Sequence, residues 1–75
     1  MTSVGIIGLG YVGLPLALHF ARAGLVVTGL DMDAAKVARL NDGQSYIGHI
    51  PAAEIAREVT AGRLRATTDF AALAG

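Results

Sequence analysis

No cysteine occurs in the 75 residues, which removes disulfide frameworks, thiolate metal sites and a cysteine nucleophile from whatever these residues do themselves. Net charge is missing too: six Lys and Arg balance six Asp and Glu, so there is neither a basic face for nucleic acid nor an acidic tail. Long hydrophobic runs are also lacking. Although 53% of the residues are hydrophobic, Gly, Pro or a charged residue interrupts each run well before the ~20 residues that a membrane span requires. The segment after Thr2 and Ser3 is broken by Gly5, Gly8 and Gly10, unlike the unbroken apolar region of a secretory signal. The expectation is therefore a cytoplasmic protein with no nucleic-acid or membrane partner and no metal site. A chain this short buries only ~60% of its unfolded surface, so residues 1–75 are expected to be one domain at most and a piece of a larger one.

Hydrophobic spacing predicts an α/β order. Val4-Gly5-Ile6-Ile7 is a short apolar run ending at Gly8, suited to a strand buried on both faces of a parallel sheet. From Tyr11 onward, Leu14, Ala17, Leu18 and Ala21 recur at three- and four-residue steps up to Gly24, which predicts a helix with one apolar stripe. Pro15 lies near its first turn, where an amide hydrogen is not needed. Residues 25–30 read as a second strand ending at Asp31, whose carboxylate is expected to be solvated at the strand's carboxyl edge. Asp33 is an expected N-cap for a helix through Leu40, stopped by Asn41-Asp42-Gly43. After an irregular connection, Pro51 suits the first position of a third helix carrying Ile55 and Val59 and stopping at Gly62. Residues 64–67 suit a third strand, and Asp69 a cap for a final turn bearing Phe70 and Leu73.

The chemistry lies in a glycine pattern between the first strand and the first helix. Gly8-Leu9-Gly10-Tyr11-Val12-Gly13 fits G-x-G-x-x-G, and Asp31 follows Gly13 by 18 positions, near the ~20 expected for an acidic ribose ligand. Gly8 permits the tight turn, Gly10 lets a pyrophosphate approach the backbone, and Gly13 lets the helix pack closely on the strand. Amide hydrogens around Tyr11 and Val12, at a helix terminus carrying roughly half a positive charge, attract a diphosphate without any Lys or Arg.

Asp31 selects the dinucleotide. Hydrogen bonds from ribose hydroxyls to a carboxylate are worth ~1.5–3 kcal/mol. A 2′-phosphate about 4 Å away would instead cost ~4 kcal/mol per pair of unit charges at an effective dielectric near 20. NAD is favoured and NADP rejected. Lys36, in the first turn of the second helix, is a candidate for the same ribose, its alternative being a solvated surface lysine.

Other polar residues carry less. His19 falls outside the apolar stripe and reads as solvated or partly packed. Tyr46 and His49 lie in the irregular connection, where function often resides, but a histidine without partners is usually structural. Arg63 and Arg65 alternate along the third strand and read as a solvated sheet end.

The segments VGIIGLGYVGLPLALHFARAG, VTGLDMDAAKVARLNDGQSYI and GRLRATTDF resemble the N-terminal part of the UDP-glucose/GDP-mannose dehydrogenase family, and GLGYVGLPLA is far more specific than its glycines alone. SYIGHIP tilts the resemblance toward the branch that oxidises UDP-N-acetylhexosamines, such as UDP-N-acetylglucosamine 6-dehydrogenase. The resemblance implies a Rossmann-type β-α-β unit with an incomplete parallel sheet, forming the first part of an NAD-binding domain. It implies a whole enzyme, a homo-oligomer, that oxidises C6 of a nucleotide sugar from alcohol to carboxylate. Two NAD+ are used, through a thiohemiacetal and a thioester on a cysteine, and the product feeds polysaccharide synthesis. The family's cofactor contacts map onto Gly8, Gly10, Tyr11, Val12, Gly13, Asp31 and Lys36. Its cysteine, acid/base residues and sugar pocket map downstream of residue 75, so residues 1–75 are not expected to be catalytic alone. Two alternatives share this opening: another NAD-dependent dehydrogenase of the β-hydroxyacid or hydroxyacyl-CoA type, and a non-catalytic nucleotide-sensing module.

Overall fold

Two short runs rich in Val, Ile and Leu form the strands β1 (Ser3–Ile7) and β2 (Val26–Leu30), and Leu64 and Ala66 supply the buried side of β3 (Leu64–Thr67). Three helices connect them: α1 (Gly13–Arg22), α2 (Ala34–Asn41) and α3 (Ala52–Thr60). The computed structural model describes residues 3–48 and 50–71. Its strands pair in parallel in the order β1-β2-β3. The connections β1-α1-β2 and β2-α2-α3-β3 make this a Rossmann-type β-α-β arrangement with an incomplete sheet, as the sequence predicts.

Register decides which side chains meet the helices. Val4 lies opposite Val27 and Val27 opposite Leu64, while Ile6 lies opposite Gly29 and Gly29 opposite Ala66. Neighbours in a parallel sheet point the same way, so these residues share one face. On it pack Leu14, Ala17, Leu18 and Ala21 of α1, Leu40 of α2 and Ile55 of α3. Complete burial of a leucine contributes about 1.5–3 kcal/mol, which here outweighs weak helix propensity in segments of only eight to ten residues. Gly24, at φ 96°, ends α1 in the left-handed conformation.

The structure moves several boundaries and overturns one expectation. Helix α1 begins at Gly13, with Tyr11 and Val12 in the turn before it, because the chain must first bend out of β1. Pro51 is the N-cap of α3 and not its first helical residue: its ψ of 136° is extended. Among the described residues, strand β1 is covered on one face only. Ile6 is buried, but Gly5 and Ile7 are exposed, Ile7 by 66%, because the described helices pack on the face that carries Ile6. Asp69 accepts from the Ala71 N–H at 2.9 Å, which caps the final turn as expected; Leu73 lies outside the described residues.

Candidate cofactor site

The chain leaves β1 through Gly8, whose φ of 86° is open to glycine and strained for other residues. The Gly8 N–H donates to the Leu30 carbonyl at 2.7 Å, so the turn starts while still tied to β2. Gly13 then brings α1 back against the turn so closely that a Cβ there would lie 1.6 Å from the Gly8 carbonyl oxygen. This is the close helix approach predicted for the third glycine. Gly10 differs: a Cβ there would meet no protein atom within 4 Å, so it faces open space. Tyr11 and Val12 stand at the rim, 77% and 80% exposed.

Helix α1 has no side-chain cap and no acidic residue in its first turn. Its N-terminus is thus the positive end of a helix that neither its N-cap side chain nor its first turn neutralises.

Asp31 follows β2 and reaches across to the turn. Its Oδ2 accepts from the Leu9 N–H at 2.9 Å, and its Oδ1 from the Asp33 N–H at 2.8 Å. The carboxylate is therefore bonded at both oxygens, and not simply solvated as expected from its place at a strand end. Those two backbone donors, Leu9 first, hold its pKa below the usual 3.8. A carboxylate has about four acceptor positions, so both oxygens keep capacity for a further donor. Asp33 caps α2 as predicted, its Oδ1 accepting from the Ala35 N–H at 3.0 Å and the Lys36 N–H at 3.3 Å.

Beside the turn lies a cleft of about 310 Å³, lined by Gly10, Tyr11, Asp33, Lys36, Arg39 and Tyr46 among others. Lys36 has its ammonium 5.8 Å from the centre of the Tyr46 ring, within cation–π range. The Tyr46 hydroxyl donates to the Leu9 carbonyl at 2.6 Å. Burial, with Asp31 and Asp33 nearby, pushes its pKa up to about 12, so it stays a donor at any ordinary pH.

The predicted residues thus converge. Gly8, Gly10, Tyr11, Val12 and Gly13 form one turn, Asp31 is bonded into it through Leu9, and Lys36 lines the cleft beside it. An uncapped helix end, open space at Gly10 and a carboxylate with spare acceptor capacity fit a dinucleotide's diphosphate and ribose. Leu9 and Tyr46 join the site through a contact that spans 37 residues and leaves no mark on spacing or periodicity. His49 lies outside the described residues. Arg63 is not merely solvated: its Nε pairs with Oε1 of buried Glu58 at 2.7 Å. His19 is exposed, with its ring edge-on to Phe20 at 5.8 Å between centroids.

Comparison with known proteins fits this geometry. The model of the UDP-glucose/GDP-mannose dehydrogenase family, NAD binding domain, matches residues 2–74. UDP-glucose 6-dehydrogenase AglM of Haloferax volcanii is 46% identical over 67 residues, 89% of this chain and 16% of that protein. The UDP-N-acetyl-D-mannosamine dehydrogenase of Pyrococcus horikoshii is 35% identical over 68 residues, 85% of this chain and 16% of that protein. Among solved structures, a ternary complex of GDP-mannose dehydrogenase from Pseudomonas aeruginosa superposes with a TM-score of 0.85 at 37% identity, covering 89% of this chain and 16% of that one. The chain therefore spans about one sixth of the length of the relatives it matches. Among the described residues no helix is long and apolar enough to cross a membrane.

Proposed function

This chain belongs to the UDP-glucose/GDP-mannose dehydrogenase family and matches its NAD-binding domain, and on that premise we propose that it supplies the cofactor grip of a nucleotide-sugar 6-dehydrogenase acting on a UDP-N-acetylhexosamine. The observation that carries the grip is the bond from the Leu9 N–H to Asp31. It joins the glycine turn and the carboxylate into one unit in front of an uncapped helix.

In this reading Gly8 bends the chain, Gly10 leaves room for the diphosphate, and the amides around Tyr11 and Val12 face it from the turn that leads into α1. Gly13 keeps that helix end close. Asp31 accepts from the adenosine ribose hydroxyls, and Lys36 reaches the same sugar. When bound, NAD+ supplies the hydride acceptor for oxidation at the sugar's C6. The described residues contribute binding and orientation, while the residues that touch the sugar belong to the remaining five sixths of such an enzyme. The N-acetylhexosamine assignment is supported by the Ser45–Pro51 segment and by a UDP-N-acetyl-D-mannosamine dehydrogenase among the relatives. A homo-oligomeric cytoplasmic enzyme serving polysaccharide synthesis completes the proposal.

Calorimetry on the full-length protein, with NAD+ and NADP+ on wild type and Asp31→Ala, tests the cofactor choice. Wild type should prefer NAD+ strongly and the variant should lose most of that preference; equal wild-type affinities would refute the role given to Asp31. NADH formation with UDP-N-acetylglucosamine, UDP-N-acetylmannosamine, UDP-glucose and GDP-mannose tests the substrate. Turnover of only UDP-glucose or GDP-mannose would overturn the branch assignment, and turnover of none would overturn the activity.

A further inference from the structure

Leu9 lies between the first two glycines of the turn, and its peptide groups are held from two directions. Its N–H donates to Asp31, and its carbonyl accepts from the Tyr46 hydroxyl. Its side chain is fully buried. The three contacts leave the Gly8–Gly10 segment little freedom to move, although it carries two glycines. Tyr46 has a second contact, since the Lys36 ammonium sits over its ring. One side chain from the connection before α3 thus touches both the glycine turn and the lysine on α2.

We propose that Tyr46 is a positioning residue for the dinucleotide: its hydroxyl clamps the glycine turn through the Leu9 carbonyl, and its ring holds Lys36 beside the cleft. The inference rests on the cofactor reading above and adds a residue that the glycine pattern does not contain. Its physical basis is pre-organisation. A turn already fixed in its binding shape loses less conformational entropy when the ligand arrives, so the clamp acts on affinity without touching the reacting atoms. Tyr46 remains protonated over the working pH range, so the clamp does not switch off with pH.

Two substitutions separate the two contacts. Tyr46→Phe keeps the ring under Lys36 and removes only the hydroxyl; Tyr46→Leu removes both. NAD+ binding to the full-length protein is measured by calorimetry, beside its urea unfolding midpoint. Initial rates are measured with whichever nucleotide sugar the wild type oxidises. Tyr46→Phe should weaken NAD+ binding roughly fivefold to tenfold, the loss of one well-placed hydrogen bond. KM for NAD+ should rise by a similar factor, with kcat within about twofold. Tyr46→Leu should lose roughly a further twofold to fivefold through the cation–π contact.

The proposal is overturned if Tyr46→Phe binds NAD+ as wild type does, if kcat falls in place of affinity, or if the lost binding is accounted for by a smaller folded fraction. Gly10→Ala serves as the control, because a methyl group there meets no protein atom but would occupy the space assigned to the diphosphate. Wild-type affinity in Gly10→Ala would refute the cofactor reading itself. Lost affinity in Gly10→Ala with none lost in Tyr46→Phe would refute only the clamp.

Discussion

The Leu9 N–H and the Asp31 carboxylate meet at 2.9 Å across 22 residues of sequence. This contact ties the turn after β1 to the end of β2, so the glycine turn and the Asp31 carboxylate cannot drift independently. A carboxylate at this position therefore has two tasks. It stabilises the folded turn, and it retains acceptor capacity toward a bound sugar.

The first task gives a pH signature. Backbone donors depress the Asp31 pKa below 3.8 in the folded state, so its contribution to stability is complete above the unfolded value and is lost as pH falls through the folded one. The difference in urea midpoint between wild type and Asp31→Asn should stay constant from about pH 8 to about pH 5. It should shrink only below 3.8. A difference that already fades near neutral pH would contradict this assignment.

Gly13 and Gly10 should respond in opposite ways to the same added methyl group. At Gly13 the Cβ would fall 1.6 Å from the Gly8 carbonyl oxygen, so α1 must move. Overpacking of this kind is expected to cost about 3 kcal/mol. At Gly10 there is no clash, and stability should change by less than about 0.5 kcal/mol while NAD+ affinity drops at least about tenfold, the effect expected of a blocked approach. Denaturant unfolding and NAD+ calorimetry on the two variants check both outcomes.

Asn41 should matter more than its exposed position at the end of α2 suggests. Its Nδ2 donates to the Ala66 carbonyl at 2.9 Å, and its Oδ1 accepts from the Ala66 N–H at 2.8 Å. It thereby pairs with the outer edge of β3 as a neighbouring strand would. Asn41→Ala should destabilise the fold by about 1–3 kcal/mol, the cost of leaving both backbone groups unpaired. Asn41→Asp keeps only the acceptor and should fall between, as read from urea midpoints.

Asp33→Ala removes the cap of α2 and should cost about 1 kcal/mol. Asp33→Ser should recover most of it, since a hydroxyl oxygen can accept the same amide bonds. Unfolding midpoints of the three proteins test this, and equal losses for Ala and Ser would argue against a capping role.

Much of this molecule is legible along the chain because the signals are local. The stripe of Leu14, Ala17, Leu18 and Ala21 identifies α1, and all four residues are buried as its spacing requires. Asp33 precedes α2 and caps it. Gly8, Gly10 and Gly13 sit where their spacing between a strand and a helix implies. The third strand, residues 64–67, was also readable from its position after Gly62.

Distant contacts were not legible. Asn41 reads as a turn residue, yet it pairs with β3; Arg63 reads as solvated, yet it neutralises buried Glu58. A one-dimensional pattern records which side chains are apolar and how they are spaced, but not which polar atoms meet after the chain folds back. The exposure of Ile7 among the described residues has the same origin, since the elements packed on a sheet decide which of its faces are covered.

The order of strands and helices, the glycine bend and the acidic residue after the second strand are determined by the sequence itself, because each depends on residues within one element or its adjoining turn. Tertiary structure alone decided that Asp31 and Tyr46 grip opposite sides of the Leu9 backbone. Those contacts exist only once the parallel pairing of β1 with β2 and the packing of the connection before α3 bring distant residues within hydrogen-bonding distance.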